Sequence, residues 1–471
     1  MTKLALITAL DEADVYSRVA VNLGPIALEA YLSQRSKGRI KTFIVETETE
    51  VVAIKPDFIG ISCVTENYGR AIALASSLKA KLHVPIFVGG VHMSALPESL
   101  DPVFDAGIIG EGEETFLELL EKFPKIEGIK GIVFHKHVVA PFMGPKAPDK
   151  SGNYDVHINP RRLPIKELDS LPMPNLKKWV ERIGLPYVMT TRGCPYKCSF
   201  CSSPVHWCGY REFSPERVVS EVEALIGDFN IRHIRFFDDV LTLNKKRLKK
   251  IVSLIDERGL NKKVNFSCFS RVGLMDQETI ALLKRGMVDF VSVGIESASS
   301  EMISLLKDKP FKIKSAQNVI DRSVKEGLNM GCSFLIGTPG ETEADLEATC
   351  RFIEKNGDKL FEAEINPFVP RPGTPYWGQA AKRGLVGLNM DWSRLKDYSF
   401  LPHFDPDRYI YVNEKMPYKV FLKYVERLTG LFNKISIGKK KIEIMSRYIS
   451  PAQMPAKLTY YKSPRRGDLL R

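Results

Sequence analysis

Short apolar runs alternate with helical patterns along most of this chain, and the alternation falls into two blocks. In the first, Leu4–Leu10, Ile40–Glu46, Phe58–Val64, Ile86–Val91 and a short run near Ile108 read as strands. FIGISCV and PIFVGG are almost wholly apolar, which suits parallel strands buried on both faces. Between the runs, Leu23–Leu32, Tyr68–Leu82 and Glu113–Phe123 carry apolar residues at helical spacing. Residues 1–140 therefore predict an α/β domain around a parallel sheet. Seven prolines and little periodicity follow in residues 141–175, so a linker over 141–186 is expected to run irregularly over the surface.

From Tyr187 a second alternation begins. Its strand candidates are YVMTTRGC, HIRFFDD, VNFSCFSR, DFVSVGIES, NMGCSFLIGTPG and EAEINPFVP. Helical patterns lie near 215–229, 244–258, 276–285, 312–326 and 341–356. Six repeats over 187–372 predict a partial (β/α)6 barrel of the TIM type, with polar and glycine-rich strand ends where sites gather. Residues 373–471 read as a mainly helical, basic segment. Within it, KVFLKYVERLTGLFNKI has an apolar stripe expected to pack on the barrel, which leaves peripheral membrane contact as the alternative. The basic tail from Lys457 is expected to be mobile.

Composition narrows the classes only a little. An apolar content of 44% excludes global disorder. Lys and Arg outnumber Asp and Glu, 68 against 56, which admits an anionic partner or simply a solvated basic surface. No run of about 18 apolar residues is present to span a membrane. The opening MTKLALITALDEADVY lacks a basic stretch followed by a cleavable apolar one, so a reducing cytoplasm is expected for the eight cysteines.

Three of those cysteines carry the chemistry. Arg192-Gly-Cys-Pro-Tyr-Lys-Cys-Ser-Phe-Cys201 follows an apolar strand and spaces its thiols C-x3-C-x2-C. Soft sulfur suits iron–sulfur clusters, and Cys194, Cys198 and Cys201 could grip three corners of a [4Fe–4S] cubane, leaving one iron open. The alternative is zinc, which takes four ligands and would need Cys208 or His206 as the fourth. Cys208 itself reads as an ordinary thiol, and Cys63, Cys268, Cys332 and Cys350 read as core.

With Phe200 before the third cysteine, the motif resembles the signature of the radical S-adenosylmethionine (SAM) superfamily. FFDDVLTLNKKRL, FSCFSRVGLMDQETIALLKRGM, VSVGIESASSEMISLLKDK, FLIGTPGETEADLEAT and PFVPRPGTPYW resemble successive barrel segments of one branch, which carries a cobalamin-binding domain before the barrel. The resemblance implies SAM on the open iron, its cleavage to a 5′-deoxyadenosyl radical, and an external electron donor of the flavodoxin or ferredoxin type. It implies SAM contacts at Phe200, Asp238, Asp239, Arg271, Glu296, Gly337 and Gly340. Arg271 has the planar fork that suits a carboxylate, and the two glycines allow close backbone approach. No catalytic side chain is assigned.

The N-terminal block resembles that branch's cobalamin-binding domain, a Rossmann-like fold, through NLGPIALEAYL, KPDFIGISCVTENYGRAIALASSLK, FVGGVHMSALPE and GIIGEGEETFLELLE. IKELDSLPMPNL resembles its connector. The resemblance implies cobalamin beyond the strand ends. Its contacts would be Asn22, Gly24, Thr65, Glu66, Asn67, Gly89, Gly90, Val91, His92, Gly110, Glu111 and Gly112. The D-x-H-x-x-G motif is absent and His92 stands in another context, so cobalamin is expected without a histidine lower ligand. A domain that keeps the fold without the cofactor is the alternative.

The function implied is methyl transfer from methylcobalamin to an unactivated carbon of a small-molecule or peptide substrate, through a substrate radical. A non-methylating step of the same branch, such as cyclisation or rearrangement, is the first alternative. An RNA-binding or RNA-modifying iron–sulfur protein is the second, disfavoured because no RNA-binding module follows the barrel and the basic residues are dispersed.

Overall fold

The structure is a computed structural model that describes residues 1–10, 23–136, 155–176, 186–229, 231–396 and 404–436. Asn22 and the tail from Lys457 lie outside the described residues.

The first domain runs β1 (Thr2–Thr8), α1 (Leu23–Arg35), β2 (Ile40–Val45), α2 (Glu48–Ile54), β3 (Phe58–Ser62) and α3 (Tyr68–Lys81). It continues through β4 (Ile86–Gly89), α4 (Val91–Ala95), β5 (Ala106–Ile108), α5 (Glu113–Lys122), β6 (Ile132–His135) and β7 (Val156–Ile158). The sheet order is β2-β1-β3-β4-β5-β6-β7. Strands β1 to β5 are parallel, whereas β6 and β7 add antiparallel. Successive β1 residues point into different cores: Leu4 and Leu6 pack with Phe87 and Phe116, and Ala5 and Ile7 with Ile59 and Val88. Burial on both faces is why these strands carry no polar alternation.

Two features differ from the expected pattern. Val156–Ile158, inside the stretch expected to be irregular, pairs with Ile132–His135 and belongs to the first sheet. Three residues are too few to show a period of two, and the pairing that makes them a strand is long-range. The short α2 was also not anticipated. Its signal is a capping box, in which Thr47 accepts from the Glu50 amide and Glu50 reaches back to the Thr47 amide.

The second domain opens with β8 (Tyr187–Val188), β9 (Thr191–Arg192), α6 (Ser203–Trp207) and β10 (Arg211–Glu212). Five βα steps follow: α7 (Pro215–Phe229), β11 (His233–Phe236), α8 (Lys245–Glu257), β12 (Asn265–Arg271), α9 (Gln277–Arg285) and β13 (Val288–Glu296). Then come α10 (Ser300–Leu306), α11 (Ile313–Lys325), β14 (Asn329–Ile336), α12 (Glu343–Asn356) and β15 (Glu362–Pro367). Six parallel strands in the order β8-β11-β12-β13-β14-β15 form an open barrel, as the six repeats predict. The expected strand YVMTTRGC is split, and its second half forms an antiparallel ribbon with β10.

Beyond the barrel lie α13 (Pro375–Lys382) and α14 (Tyr418–Ser436). Phe421, Val425, Leu428 and Phe432 of α14 are buried, and the helix packs against β15 and α12. Its apolar stripe is thereby covered by the barrel rather than left for a lipid surface. Among the described residues, no helix is long and apolar enough to cross a membrane.

Gly90 fixes the turn after β4. Its φ is +113°, and a Cβ there would lie 2.3 Å from the Cys63 carbonyl oxygen. Only glycine adopts that backbone region readily. Gly90→Ala should therefore destabilise the protein by about 1–3 kcal/mol, read as a lower midpoint in urea. An unchanged midpoint would show that the turn relaxes without cost.

Candidate functional site

The cysteine loop springs from the ribbon. Gly193 turns it with φ +83°, and a Cβ there would meet the Gly209 carbonyl oxygen at 2.0 Å. Cys194, Cys198 and Cys201 follow as free thiols. Burial raises the thiol pKa of Cys194 and pushes that of Cys201 up to about 12, so a bound metal must displace their protons. The loop is docked on the end of α10: the Ser199 amide donates to the Leu306 carbonyl at 3.0 Å, and Ser199 Oγ to that of Leu305 at 2.8 Å. Arg271, at the end of β12, lies over the Tyr196 ring at 3.7 Å and donates to Cys198 Sγ at 3.2 Å.

The neighbouring acids divide in role. Asp238 is buried and accepts four hydrogen bonds of 2.6–2.9 Å, from the amides and hydroxyls of Thr190 and Thr191. Arg247 of α8 donates to the Thr190 carbonyl at 2.7 Å from the other side. Asp238 thus braces the break between β8 and β9, just ahead of the cysteines. Asp239 instead lines the cavity described below and accepts from Ser203 Oγ at 2.5 Å.

Glu296 ends β13 in the left-handed region, with φ +67°, at a shift in strand register. Its carboxylate is buried against Lys307, with Nζ to Oε1 at 2.6 Å. Lys307 also donates to the Gly294 carbonyl at 3.0 Å and sits over the Phe200 ring at 5.6 Å. A Cβ at residue 294 would lie 2.3 Å from Glu296 Oε1, so the absent side chain of Gly294 makes room for the pair. Gly337 and Gly340 both have positive φ, +74° and +83°. The space above Gly337 is filled by the Phe421 ring, whereas Gly340 meets only Leu305 at 3.8 Å. Lys307 was not anticipated from the sequence because its role depends on a bulge that periodicity does not reveal.

A cavity of about 570 Å³ opens between the two domains. Gly24, Gly60, Gly89, Gly90, Gly110 and Gly112 bring backbone to one wall, with Val64 and Val91. Met189, Cys201, His206, Phe237 and Asp239 bring the barrel to the other. Of the residues expected to meet cobalamin, Gly24, Gly89, Gly90, Val91, Gly110, Glu111 and Gly112 line this cavity. Thr65, Glu66, Asn67 and His92 do not. Thr65 and Asn67 are buried in a turn packed against the Trp392 turn, and Glu66 faces Arg371 at 3.5 Å. His92 is buried, stacked on Tyr68 at 3.9 Å, with Nε2 2.9 Å from Ser99 Oγ. Burial lowers its pKa to about 3.

The domains are joined at the cavity rim by buried charge. Arg192 pairs with Glu113 and, at 3.4 Å, with Glu111, and Arg211 also pairs with Glu111. The Arg192 guanidinium lies over the Trp207 ring at 5.4 Å.

Three thiols on one loop are the donor set a cubane needs, each taking a separate iron. Among the described residues, no three His, Cys, Asp or Glu side chains converge on a single ion. Cys208 Sγ accepts from Arg161 at 3.2 Å and His206 Nδ1 meets Ser94 Oγ at 3.0 Å, so these two atoms are engaged away from the cysteines. The glycine-rimmed, largely apolar cavity has the size and lining of a ligand site.

Comparison with known proteins agrees with both halves. Residues 188–353 match the Radical SAM superfamily model, and residues 40–120 match the B12 binding domain model. An uncharacterized methyltransferase of Pyrococcus horikoshii is 29% identical over 92% of this chain and 97% of its own. An anaerobic magnesium-protoporphyrin IX monomethyl ester cyclase of Rubrivivax gelatinosus is 25% identical over 64% of this chain and 55% of its own. Among solved structures, the radical S-adenosylmethionine methyltransferase TsrM from Kitasatospora setae, with tryptophan and a SAM analogue bound, superposes with a TM-score of 0.68. It is 16% identical and covers 96% of this chain and 90% of its own, a likeness of fold.

The two acids give a test of this geometry. Asp238→Ala should lower stability by about 3 kcal/mol or more, because four donors lose their acceptor, and should reduce the iron held after reconstitution. Asp239→Ala should change stability by about 1 kcal/mol or less. Urea titration and iron analysis check both, and equal effects of the two substitutions would contradict the bracing role.

Proposed function

We propose, from the premise that the chain belongs to the radical SAM superfamily and carries a B12-binding domain before its barrel, that it is a cobalamin-dependent methyltransferase acting on an unactivated carbon. The observation that carries this reading is the shared cavity. Cys201 and Asp239 stand on one wall and the glycine-rimmed loops on the other, so a substrate between them can meet both cofactors. When bound, SAM and a [4Fe–4S] cluster supply a 5′-deoxyadenosyl radical, and cobalamin supplies a methyl group for transfer. The protein contributes placement.

Cys194, Cys198 and Cys201 would hold the cluster. Arg271 and Glu296 would orient SAM, with Asp239, Phe200 and Gly340 beside them. Gly24, Gly89, Gly90, Val91, Gly110, Glu111 and Gly112 would receive cobalamin. His92 is held against Tyr68 away from the cavity, which removes it as a ligand beneath cobalt, and the cofactor is read without a histidine lower ligand. The substrate is read as a small molecule, and an external reductant of the flavodoxin or ferredoxin type is required. Ring closure is a second reading, favoured by the likeness to the cyclase of Rubrivivax gelatinosus.

Turnover under anaerobic conditions should yield S-adenosylhomocysteine and 5′-deoxyadenosine, about one of each per methylated product. Deuterium on the reacting carbon should appear in 5′-deoxyadenosine. Cys194→Ala, Cys198→Ala and Cys201→Ala should each abolish SAM cleavage, whereas Cys208→Ala should retain it. 5′-Deoxyadenosine formed without S-adenosylhomocysteine would exclude methyl transfer and leave ring closure.

A further inference from the structure

His206 sits on α6, on the barrel side of the cavity, with its ring edge-on to Trp207 at 4.6 Å. Its Nδ1 lies 3.0 Å from Ser94 Oγ, across the domain boundary. Ser94 Oγ also lies 3.0 Å from the Gly90 carbonyl oxygen and accepts from the Gly110 amide at 2.9 Å. Arg161 fastens the same junction, donating to the carbonyls of Ser94 and Val205.

These contacts bear on the state of the imidazole. A hydroxyl has one proton, and Ser94 Oγ–H donates to the Gly90 carbonyl at 3.0 Å, as serine in a helix does to the carbonyl four residues before it. With the proton so placed, the contact with His206 is one in which Nδ1–H donates to Ser94 Oγ. Burial holds the imidazole pKa down to about 4, with Arg192 and Arg161 opposing Glu111 and Glu113, so the ring is neutral near pH 7. A neutral ring protonated on Nδ1 leaves Nε2 as a bare lone pair.

That lone pair belongs to a ring on the cavity wall, and Ser94 ties it to Gly90 and Gly110. Both glycines line the cavity on the first domain's side. The acceptor is thus fixed relative to the cavity's rim rather than to the barrel interior. A corrin ring carries primary amides around its edge, and their N–H groups are the donors such an acceptor fits.

We infer that His206 is a corrinoid-binding residue whose Nε2 accepts a hydrogen bond from a primary amide on the corrin edge. The inference rests on the reading of the cavity as the cobalamin site.

Titration of hydroxocobalamin into the anaerobically reconstituted full-length protein tests it, with absorbance as the readout. H206A should weaken cobalamin binding about tenfold, the loss expected for one buried hydrogen bond, with iron content unchanged. H206Q keeps an acceptor and should recover part of the loss. H206F keeps a ring against Trp207 without an acceptor; it should keep its iron and show the same loss of cobalamin affinity, which separates the lost acceptor from any loss of iron in the alanine variant. Equal affinity in wild type and the acceptor-less variants would overturn the inference. So would nitrogen splitting in the wild-type cob(II)alamin EPR spectrum that H206A abolishes, because His206 would then be a cobalt ligand. Wild-type protein that binds no cobalamin at all would overturn the reading of the cavity itself, and this inference with it.

Discussion

Arg192 and Arg211 leave water to pair with Glu111 and Glu113, and that pairing sets the two domains against each other at the cavity rim, beside the apolar core they share. Arg192, Glu111 and Glu113 are each under a tenth exposed at the side chain. Burying such charges gains little stability in itself, but removing one partner costs about 3–5 kcal/mol because its mate is stranded. The junction therefore specifies geometry more than it adds stability. Glu111 and Glu113 belong to the segment 110–113 that lines the first domain's side of the cavity. Arg192 lies two residues before the first cysteine. A shift of one cofactor wall relative to the other would break this pairing.

The rest of the site extends from that junction by short-range constraints. Asp238 and Arg247 hold Thr190 and Thr191 from opposite sides, which sets where the ribbon leaves the barrel. Ser199 pins the cysteine loop to the end of α10, and Lys307 follows immediately to hold Glu296. The cluster loop and the end of β13 are thus positioned by one stretch of chain. At the opposite wall, glycines let backbone form the surface, and Val64 and Val91 keep it apolar.

The repeating architecture was legible in the sequence because buried parallel strands leave continuous apolar runs and their helices leave an amphipathic period. All six barrel strands and the cysteine spacing could be read this way. Segments whose structure comes from partners distant in sequence were not. The pairing of Val156–Ile158 with β6 and the position of His92 under Tyr68 are both of this kind. The sequence could place Asp238 and Asp239 just past a strand end, but not which way each turns in the bend beyond Phe236. Only the structure separates the one that braces from the one that lines the cavity. His206 carried no motif of its own, and its significance follows from three contacts of one serine hydroxyl.

The central claim is that one cavity serves both cofactors. Magnetic coupling between them tests it most directly. Protein reconstituted with iron, sulfide and cobalamin should be reduced to give the paramagnetic cluster and cob(II)alamin together, and its EPR spectrum compared with that of a Cys194→Ala, Cys198→Ala, Cys201→Ala variant loaded with cobalamin alone. The shared cavity predicts a cob(II)alamin signal that is broadened and relaxes faster when the cluster is present. A signal identical in the two proteins would place the cofactors in separate sites and contradict the account.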